Sequence, residues 1–261
     1  MEAKVLDLAH ADPILDAAPR HVALIMDGNG PWAAAQGLPL FEGDLGSIDA
    51  LRRAVCAAIE FRVSYLTVYF FAAENLSQSP EGTQGLRALF HQFIRNDLLD
   101  QRRSNVRLRI IGERADLAPD IIELLEEAER LTQANSGLTL VIAFNYNARQ
   151  EIARAVRALG ELVAQGRLSM QDIDAGTIAT HLDTAGIPDP DLIIRTSGRQ
   201  RLSNFLLWQA AYSEFVFLPI LCPEFGKAAF VAAIAEYAGR DRRFGRISPS
   251  GSKNKKPLCQ R

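Results

Sequence analysis

The chain has 261 residues, 48% of them hydrophobic, and a formal net charge of −2 at pH 7. This length and composition predict one globular domain with enough apolar material for a sizeable core. The balance of acidic and basic residues excludes a general affinity for nucleic acid, and no uninterrupted apolar stretch is long enough for stable membrane insertion. Three scattered cysteines without metal-ligand spacing are typical of a reduced, cytoplasmic protein.

The first predicted strand follows a weakly ordered arm of residues 1–19. A branched, apolar run from Val22 to Met26 indicates a buried strand, and Asp27 ends it. Residues 28–30 (Gly-Asn-Gly) indicate a tight turn into a helix, with Pro31 suited to its first position. Such turns present backbone N–H groups that attract phosphate, and a carboxylate beside them is well placed to hold Mg²⁺.

Helix-like and strand-like segments alternate along the rest of the chain. Apolar periodicity predicts helices at about 44–61, 86–103, 119–133, 149–164, 170–182 and 224–238. Runs of β-prone residues predict strands at 65–71, 106–111, 138–144, 192–195 and 215–218. The remaining segments are a polar loop at 72–85 and a disordered basic tail at 248–261. The alternation predicts an α/β fold, with a mostly parallel central sheet flanked by helices.

Polar residues follow three of these predicted strands. Asp27 comes after the first strand, the Glu74–Asn75 pair after the second, and Arg195 ends the strand at 192–195. Ligands of parallel sheets bind beyond the carboxyl ends of the strands. We therefore expect these side chains to converge on one site.

Two longer motifs connect this site to a known family. The first is His21–Trp32 (HVALIMDGNGPW), and the second is Asp191–Gly198 (DLIIRTSG) followed by Arg201–Gln209 (RLSNFLLWQ), with Tyr212 and Glu214 beyond it. Together they resemble the cis-prenyltransferase family, best known for its undecaprenyl diphosphate synthases. The resemblance extends from about His21 to Gly245. It implies a catalytic domain at 20–247 with a hydrophobic tunnel for an isoprenyl chain, and a dependence on Mg²⁺.

The resemblance assigns roles to individual positions. It implies that Arg195, Arg201 and Ser203 bind the diphosphate of isopentenyl diphosphate, and that Asp27 and Glu214 hold Mg²⁺. An Arg-x-Gly element, Arg243 to Gly245, would reach the neighbouring subunit's site, which implies a homodimer. We assign Asp27, Asn29 and Asn75 as candidate catalytic residues. Further candidates for substrate binding are Gly28, Gly30, Trp32, Phe70, Phe71 and Glu74.

The half of the site that would hold the allylic substrate departs from the family pattern. Pro31 and Leu40 stand where the family has arginines, and Asp44 stands where it has a histidine. In residues 72–79, two serines, a tryptophan and a further arginine of the family are also replaced. A hydrogen bond to a charged group is worth roughly 1.5–3 kcal/mol. We therefore expect a standard allylic diphosphate to bind poorly unless another group compensates.

Asp44 has two possible roles. In the first, Asp27 and Asp44 jointly hold a Mg²⁺ ion that grips the diphosphate. In the second, Asp44 caps the N-terminus of a helix that begins near Leu45, a common use of aspartate. The sequence favours the cap.

Phe70 bears on the length of the product. It stands where the family commonly has an alanine that lines the tunnel. By the resemblance, a large side chain at this position blocks elongation. We therefore expect one or few condensations instead of a long lipid carrier.

The sequence thus predicts a short-chain prenyltransferase of specialised metabolism that acts on small isoprenyl diphosphates. Two units would join either head-to-tail with cis geometry or by an irregular head-to-middle coupling. Alternatively, the site cyclises a prenyl diphosphate or transfers the prenyl group to a non-isoprenoid acceptor. A different class of function, a non-catalytic partner subunit, is less favoured because most polar site residues are retained. Release of diphosphate by the purified protein alone distinguishes an enzyme from such a subunit.

Overall fold

The computed structural model describes residues 18–72, 105–115 and 117–240, with the backbone alone for residues 70–72. The predictions for most of the arm, for the loop after residue 72, for the helix at 86–103 and for the tail at 248–261 lie outside the described residues. Within the described ranges, no helix is long and apolar enough to cross a membrane.

Six parallel strands form one sheet in the described part of the chain, in the order β3-β4-β2-β1-β5-β6. The strands are β1 (His21–Ile25), β2 (Tyr65–Ala72), β3 (Arg107–Ile111), β4 (Thr139–Tyr146), β5 (Leu192–Arg195) and β6 (Glu214–Phe217). Each begins and ends within about two residues of a predicted strand. The predicted α/β fold with a parallel sheet is confirmed.

Helices connect the strands and pack on the sheet. They are α1 (Asn29–Ala35), α2 (Leu40–Glu60), α3 (Pro119–Thr132), α4 (Ala148–Ala164), α5 (Ala175–Ala179) and α6 (Lys227–Ala238). Three of the predicted helix starts are wrong. Pro31 is the third residue of α1 and not the first, because the helix begins directly after Gly28. The helix α2 begins at Leu40, after Pro39 in the cap position, and α6 begins at Lys227, after a short 3-10 turn at Cys222–Glu224.

The single helix predicted at 170–182 is also wrong. The segment forms a 3-10 turn at Met170–Asp172 and then the short helix α5. Asp174 separates the two, since its side chain accepts a hydrogen bond from the backbone N–H of Thr177 at 2.7 Å. An aspartate at this position starts a new helix and interrupts the preceding one.

The strand order reverses at β1. The chain leaves β1 and forms β2 on one side of it, whereas β5 pairs with β1 on the other side. Neighbouring connections separate at such a point, which opens a crevice at the carboxyl ends of the strands. Asp27 follows β1 and Arg195 ends β5, so both residues lie at this crevice.

The sheet is buried on both faces. On β1, Val22 and Leu24 belong to a large apolar cluster that includes buried residues of α2, α3 and α6. Ala23 and Ile25, the alternate residues, belong to a second cluster on the opposite face, together with Phe205. All five residues of β1 are buried. A strand with apolar layers on both sides is rigid, and it fixes the position of the residue that follows it.

Candidate active site

Thr196 fixes the backbone of Asp27. The Thr196 Oγ1 atom accepts a hydrogen bond from the N–H of Asp27 at 2.8 Å and donates one to its carbonyl oxygen at 2.7 Å. The N–H of Cys222 also donates to that carbonyl, at 3.1 Å. Thr196 is fully buried. The carboxylate of Asp27 therefore extends from a backbone that is hydrogen-bonded to the two segments beside it.

Arg195 brings four predicted site residues together. Its Nη2 donates to Oδ2 of Asp27 at 2.6 Å, and its Nη1 donates to Oγ of Ser203 at 2.7 Å. The same Nη1 contacts the carbonyl oxygen of Arg201. The side chain is only 3% exposed, and its Nε is buried without a partner among the described residues. An arginine held on both sides in this way is a fixed cation at the bottom of the crevice.

The loop that carries Ser203 has a strained backbone. Ser203, Asn204 and Leu206 all have positive φ angles of 44–60°, which residues other than glycine rarely adopt. Two anchors hold the loop in this form. The ring of Phe205 is fully buried and stacks on Tyr69 with centroids 4.7 Å apart. Strain of this kind persists where the surroundings impose it, and it is common at functional sites.

The second anchor of the loop is the start of α4. The carbonyl oxygen of Asn204 accepts from the N–H of Ala148 at 3.0 Å, and its side-chain oxygen accepts from the N–H of Arg149 at 3.1 Å. Helix N-termini have N–H groups without partners in the helix, and Asn204 satisfies two of them. The position of Ser203 beside Arg195 is therefore tied to a helix on the other side of the loop.

Arg199, which is not among the site residues predicted from the sequence, also binds Asp27. Its Nη1 lies 3.1 Å from Oδ2 and 3.3 Å from Oδ1 of the carboxylate, and its side chain is 48% exposed. Ser197 and Gly198, directly before it, have φ angles of 73° and 70°, which turn the chain after β5. The signal in the sequence was the position of Arg199 between Arg195 and Arg201, two arginines already assigned to the site.

These contacts keep Asp27 charged. Its partial burial alone would raise the pKa of the carboxyl, but the hydrogen bond from Arg195 and the charges of Arg199 and Arg195 hold the pKa below its usual value. The group is thus ionised at neutral pH. It remains partly accessible, with 21% of the side chain exposed.

Asn29 and Asp44 form a second polar pair next to Asp27. Asn29 Nδ2 donates to Oδ1 of Asp44 at 2.9 Å. Asp44 lies inside α2 and not at its start, so the favoured interpretation of Asp44 as a helix cap is wrong. Burial raises the pKa of its carboxyl, and the bond from Asn29 opposes this only in part.

Close packing of α1 against α2 produces this pair. A Cβ atom at Gly43 would lie 2.3 Å from the carbonyl oxygen of Asn29, so only glycine permits the two helices to approach this closely. Gly28 has a φ of 110°, a conformation that also favours glycine, and it forms the turn before α1. The turn thus places Gly30 and the half-buried Trp32 in the first helix after the strand.

Glu214 does not lie near Asp27 of the same chain. Glu214 begins β6 and is level with Leu192 of β5 and Val22 of β1. Asp27 lies five residues farther along, which at roughly 3.3 Å per residue is about 16 Å. Glu214 instead pairs with Arg240 at 2.7 Å. The structure therefore does not unite the two carboxylates that the resemblance assigned to one metal ion.

The donor set around Asp27 suits a magnesium ion that is shared with a substrate. Among the described residues, no group of three or more His, Cys, Asp or Glu side chains could enclose a metal by itself. Mg²⁺ in phosphate-transfer sites usually binds one or two carboxylates and completes its shell with water and substrate oxygens. An ionised, partly exposed Asp27 at the crevice fits that arrangement.

The other predicted site residues cannot be placed. Glu74, Asn75, Arg243 and Gly245 lie outside the described residues. For Phe70 and Phe71, the structure describes only the backbone, which continues β2. Their roles stay predictions.

Comparison with known proteins gives consistent matches. Residues 25–245 match the prenyltransferase family model described as "Putative undecaprenyl diphosphate synthase". The chain is 58% identical to "Isoprenyl transferase 2" of Bradyrhizobium diazoefficiens, over 87% of this chain and 90% of that protein. It is 54% identical to "Isoprenyl transferase" of Rhizobium meliloti, over 88% of this chain and 93% of the relative.

Two solved structures share the fold. The lavandulyl diphosphate synthase of Lavandula x intermedia, in complex with dimethylallyl diphosphate, is 34% identical, with a TM-score of 0.86 over 88% of this chain and all of that chain. A "probable undecaprenyl diphosphate synthase" of Campylobacter jejuni is 27% identical, with a TM-score of 0.71 over 87% of this chain and 99% of that chain. The chain therefore belongs to the undecaprenyl diphosphate synthase family, the cis-prenyltransferases, and is a prenyltransferase.

Proposed function

We propose that this enzyme ionises a short allylic diphosphate and couples the resulting cation to a second small isoprenyl diphosphate. The observation that carries the proposal is Arg195, which links Asp27 to Ser203 and Arg201 at the switch point of the sheet. A diphosphate placed there would meet fixed cationic donors. It would also offer an acceptor to the buried, unpartnered Nε of Arg195.

The reaction requires charge stabilisation at one end and a dry apolar cavity at the other. The C–O bond of the allylic diphosphate breaks, and the diphosphate leaves with the electron pair. The alkene of the second substrate then forms a new C–C bond with the allylic carbon, and the resulting cation loses a proton to the departed diphosphate. The guanidinium groups of Arg195 and Arg201 would hold diphosphate oxygens of the second substrate in pairs, which positions its alkene beside the allylic carbon.

Magnesium is part of the proposal. Asp27 would hold the ion beside the diphosphate, and the ion would neutralise charge on the departing group. Asn29 and Asn75 would orient the reacting alkene or a water molecule. The hypothesis that Asp44 shares the ion with Asp27 stays a prediction. Because of its position at the start of β6, Glu214 could contribute to such a site only from a second copy of the chain.

A short product is supported by one structural neighbour and by the residue at position 70. The lavandulyl diphosphate synthase, whose structure contains dimethylallyl diphosphate, matches this chain with a TM-score of 0.86. Phe70, at the expected tunnel position, agrees with one or few condensations. We also propose a homodimer, in which the Arg243–Gly245 element reaches the partner's site.

The coupling mode can be determined by product analysis. The purified protein is incubated with Mg²⁺ and dimethylallyl diphosphate, with and without isopentenyl diphosphate, and products are identified by mass spectrometry. A short prenyl product that requires isopentenyl diphosphate establishes head-to-tail synthesis. A product from the allylic substrate alone establishes irregular coupling or cyclisation, and its mass separates one isoprenyl unit from two.

The proposal is tested by applying the same assay to two variants. Asp27→Asn removes the charge at the centre of the site and should abolish product, whereas Asp172→Asn, on an exposed 3-10 turn, should leave the yield unchanged. Products longer than a few isoprenyl units would contradict the short-chain proposal. No turnover with dimethylallyl or longer allylic diphosphates would contradict the proposed pair of substrates and favour transfer to a non-isoprenoid acceptor.

A further inference from the structure

Arg199 differs from the other arginine that binds Asp27. The Arg195 side chain is 3% exposed and donates to three oxygen atoms on two segments of the chain. Arg199 is 48% exposed and contacts Asp27 through Nη1 alone. Among the residues that the structure describes, its Nε and Nη2 have no partner. Arg199 is therefore a cation with spare donors at the mouth of the crevice.

The backbone beneath Arg199 is firmly held although its side chain is exposed. The N–H of Ser197 donates to the carbonyl of Ile220 at 2.6 Å, and that of Gly198 donates to the carbonyl of Leu218 at 2.7 Å. Both residues adopt the left-handed conformation that turns the chain back toward β1. The side chain can thus change partner while its Cα stays in place.

The distribution of positive charge around the crevice bears on the role of Arg199. The turn and the helix that follow β1 supply no cation between residues 28 and 51, and the cations that contact Asp27 in the described part of the chain are Arg195 and Arg199. The Nη1 of Arg195 already donates to two acceptors, and its Nη2 is bonded to Asp27. A doubly charged diphosphate beside Asp27 would be repelled by the carboxylate unless a cation lies between them. Arg199 is the cation that is both adjacent and free to move.

We propose that Arg199 is a substrate-binding residue that pairs with Asp27 in the ligand-free enzyme and transfers its hydrogen bonds to the diphosphate when substrate binds. The inference rests on the proposed function and names the group that replaces the family's missing cations. No covalent step is involved. Arg199 is half-exposed, and an ion pair with a solvent-exposed partner contributes little, so this exchange of partners is energetically easy.

Substitution of Arg199 should have opposite effects on two affinities: metal binding should become tighter and pyrophosphate binding weaker. Without Arg199, a divalent cation competes for Asp27 with one guanidinium, that of Arg195, instead of two. Mn²⁺ alone, measured by electron paramagnetic resonance, should bind Arg199→Gln several-fold more tightly than the wild-type protein. Inorganic pyrophosphate at saturating Mg²⁺, measured by calorimetry, should bind Arg199→Gln at least about tenfold more weakly, as expected for loss of a charge-assisted hydrogen bond. A misfolded variant could not show tighter Mn²⁺ binding.

Two further variants separate the specific effect from a general loss of charge. Arg199→Lys keeps the charge and should recover part of the pyrophosphate affinity. Arg167→Gln removes an exposed arginine that contacts Gln165, away from the site, and should change neither affinity. Equal pyrophosphate affinity in wild type and Arg199→Gln would overturn the inference and leave the proposed function intact. Failure of the wild-type protein to bind pyrophosphate at all would overturn both.

Discussion

Arg195 Nη2 lies 2.6 Å from Oδ2 of Asp27, although the two residues are 168 positions apart in the chain. Each residue sits at the carboxyl end of a buried strand, and the strands are neighbours in register. The contact is therefore a product of the sheet topology. It gives the enzyme a fixed cation and a fixed anion at the point where the strand order reverses.

Arg195 binds partners on two sides, so we expect that a positive charge without the shape of a guanidinium cannot replace it in the reaction. Arg195→Lys keeps the positive charge, but an ammonium group cannot reach Asp27 on one side and Ser203 on the other. The loss of charge-assisted hydrogen bonds worth about 1.5–3 kcal/mol should lower kcat/KM for isopentenyl diphosphate, as second substrate, about 10- to 150-fold. Steady-state kinetics measure the change.

A matched substitution controls for this effect. Arg114 forms an ion pair with Glu129 at 2.7 Å, through one nitrogen, and follows the edge strand β3, which β4 and β2 separate from β1. Arg114→Lys should leave kcat/KM within a factor of about two. An Arg195→Lys variant with the kcat/KM of the wild type would contradict the predicted role of Arg195.

The position of Asp44 makes the shared-cation hypothesis testable. If Asp27 and Asp44 hold one Mg²⁺ ion, Asp44→Ala should raise the Mg²⁺ concentration needed for half-maximal activity by about tenfold or more, since a charged ligand is lost. Asp49→Ala serves as the control, because Asp49 lies on the same helix, is exposed and pairs with Arg52. An unchanged Mg²⁺ requirement with reduced turnover would show that Asp44 only positions Asn29, to which it is bonded.

His21 should make the fold sensitive to acid. Burial lowers the pKa of its ring from 6.5 to about 4. The Nδ1–H of the ring donates to the Pro188 carbonyl at 2.6 Å, and Nε2 accepts from the Thr67 hydroxyl at 2.7 Å. The neutral ring is thus the folded form. Its contribution is complete above pH 6.5 and is lost as the pH falls from 6.5 toward 4, by up to about 3 kcal/mol.

Denaturant unfolding at several pH values between 7 and 4 measures this contribution. Other groups also titrate in this range, so the comparison is with His21→Gln, which lacks the ring. The stability of the variant should decline less steeply with acid than that of the wild type. Parallel slopes for the wild type and His21→Gln would contradict the prediction.

Phe70 predicts the length of the product. If its side chain limits the tunnel, Phe70→Ala should yield longer prenyl diphosphates, because the cavity gains the volume of an aromatic ring. Mass spectrometry of the products, at equal enzyme and isopentenyl diphosphate concentrations, measures the shift. A product distribution identical to that of the wild type would assign chain length to another group.

Much of the sheet could be predicted because its strands are apolar on both faces. Runs such as Leu192–Arg195 contain branched apolar residues without helical periodicity, and this pattern favours a buried strand. The start of α2 was harder to predict. Pro39 begins that helix with no side-chain cap, whereas Asp44 looked like a cap and lies one turn inside. The preference of aspartate for the N-cap position is not used here, and the Asp44 side chain instead accepts a hydrogen bond from Asn29.

The candidate site was predicted as a set of strand ends, but its contacts were not. The left-handed backbone of Ser203 and Asn204 depends on α4 and on a stack between Phe205 and Tyr69, both distant in sequence. Arg199 is one of many polar residues in a loop until the fold brings it to Asp27. Such contacts arise from tertiary packing, which no local pattern encodes.

A crystal structure with Mg²⁺ and dimethylallyl thiolodiphosphate, a substrate analogue that ionises slowly, tests the central claim most directly. We expect the diphosphate at the crevice between β1 and β5, with Arg195 still bonded to Ser203 and with Arg199 turned from Asp27 to the diphosphate. A diphosphate bound elsewhere, with Arg199 still on Asp27, would contradict the account of the site.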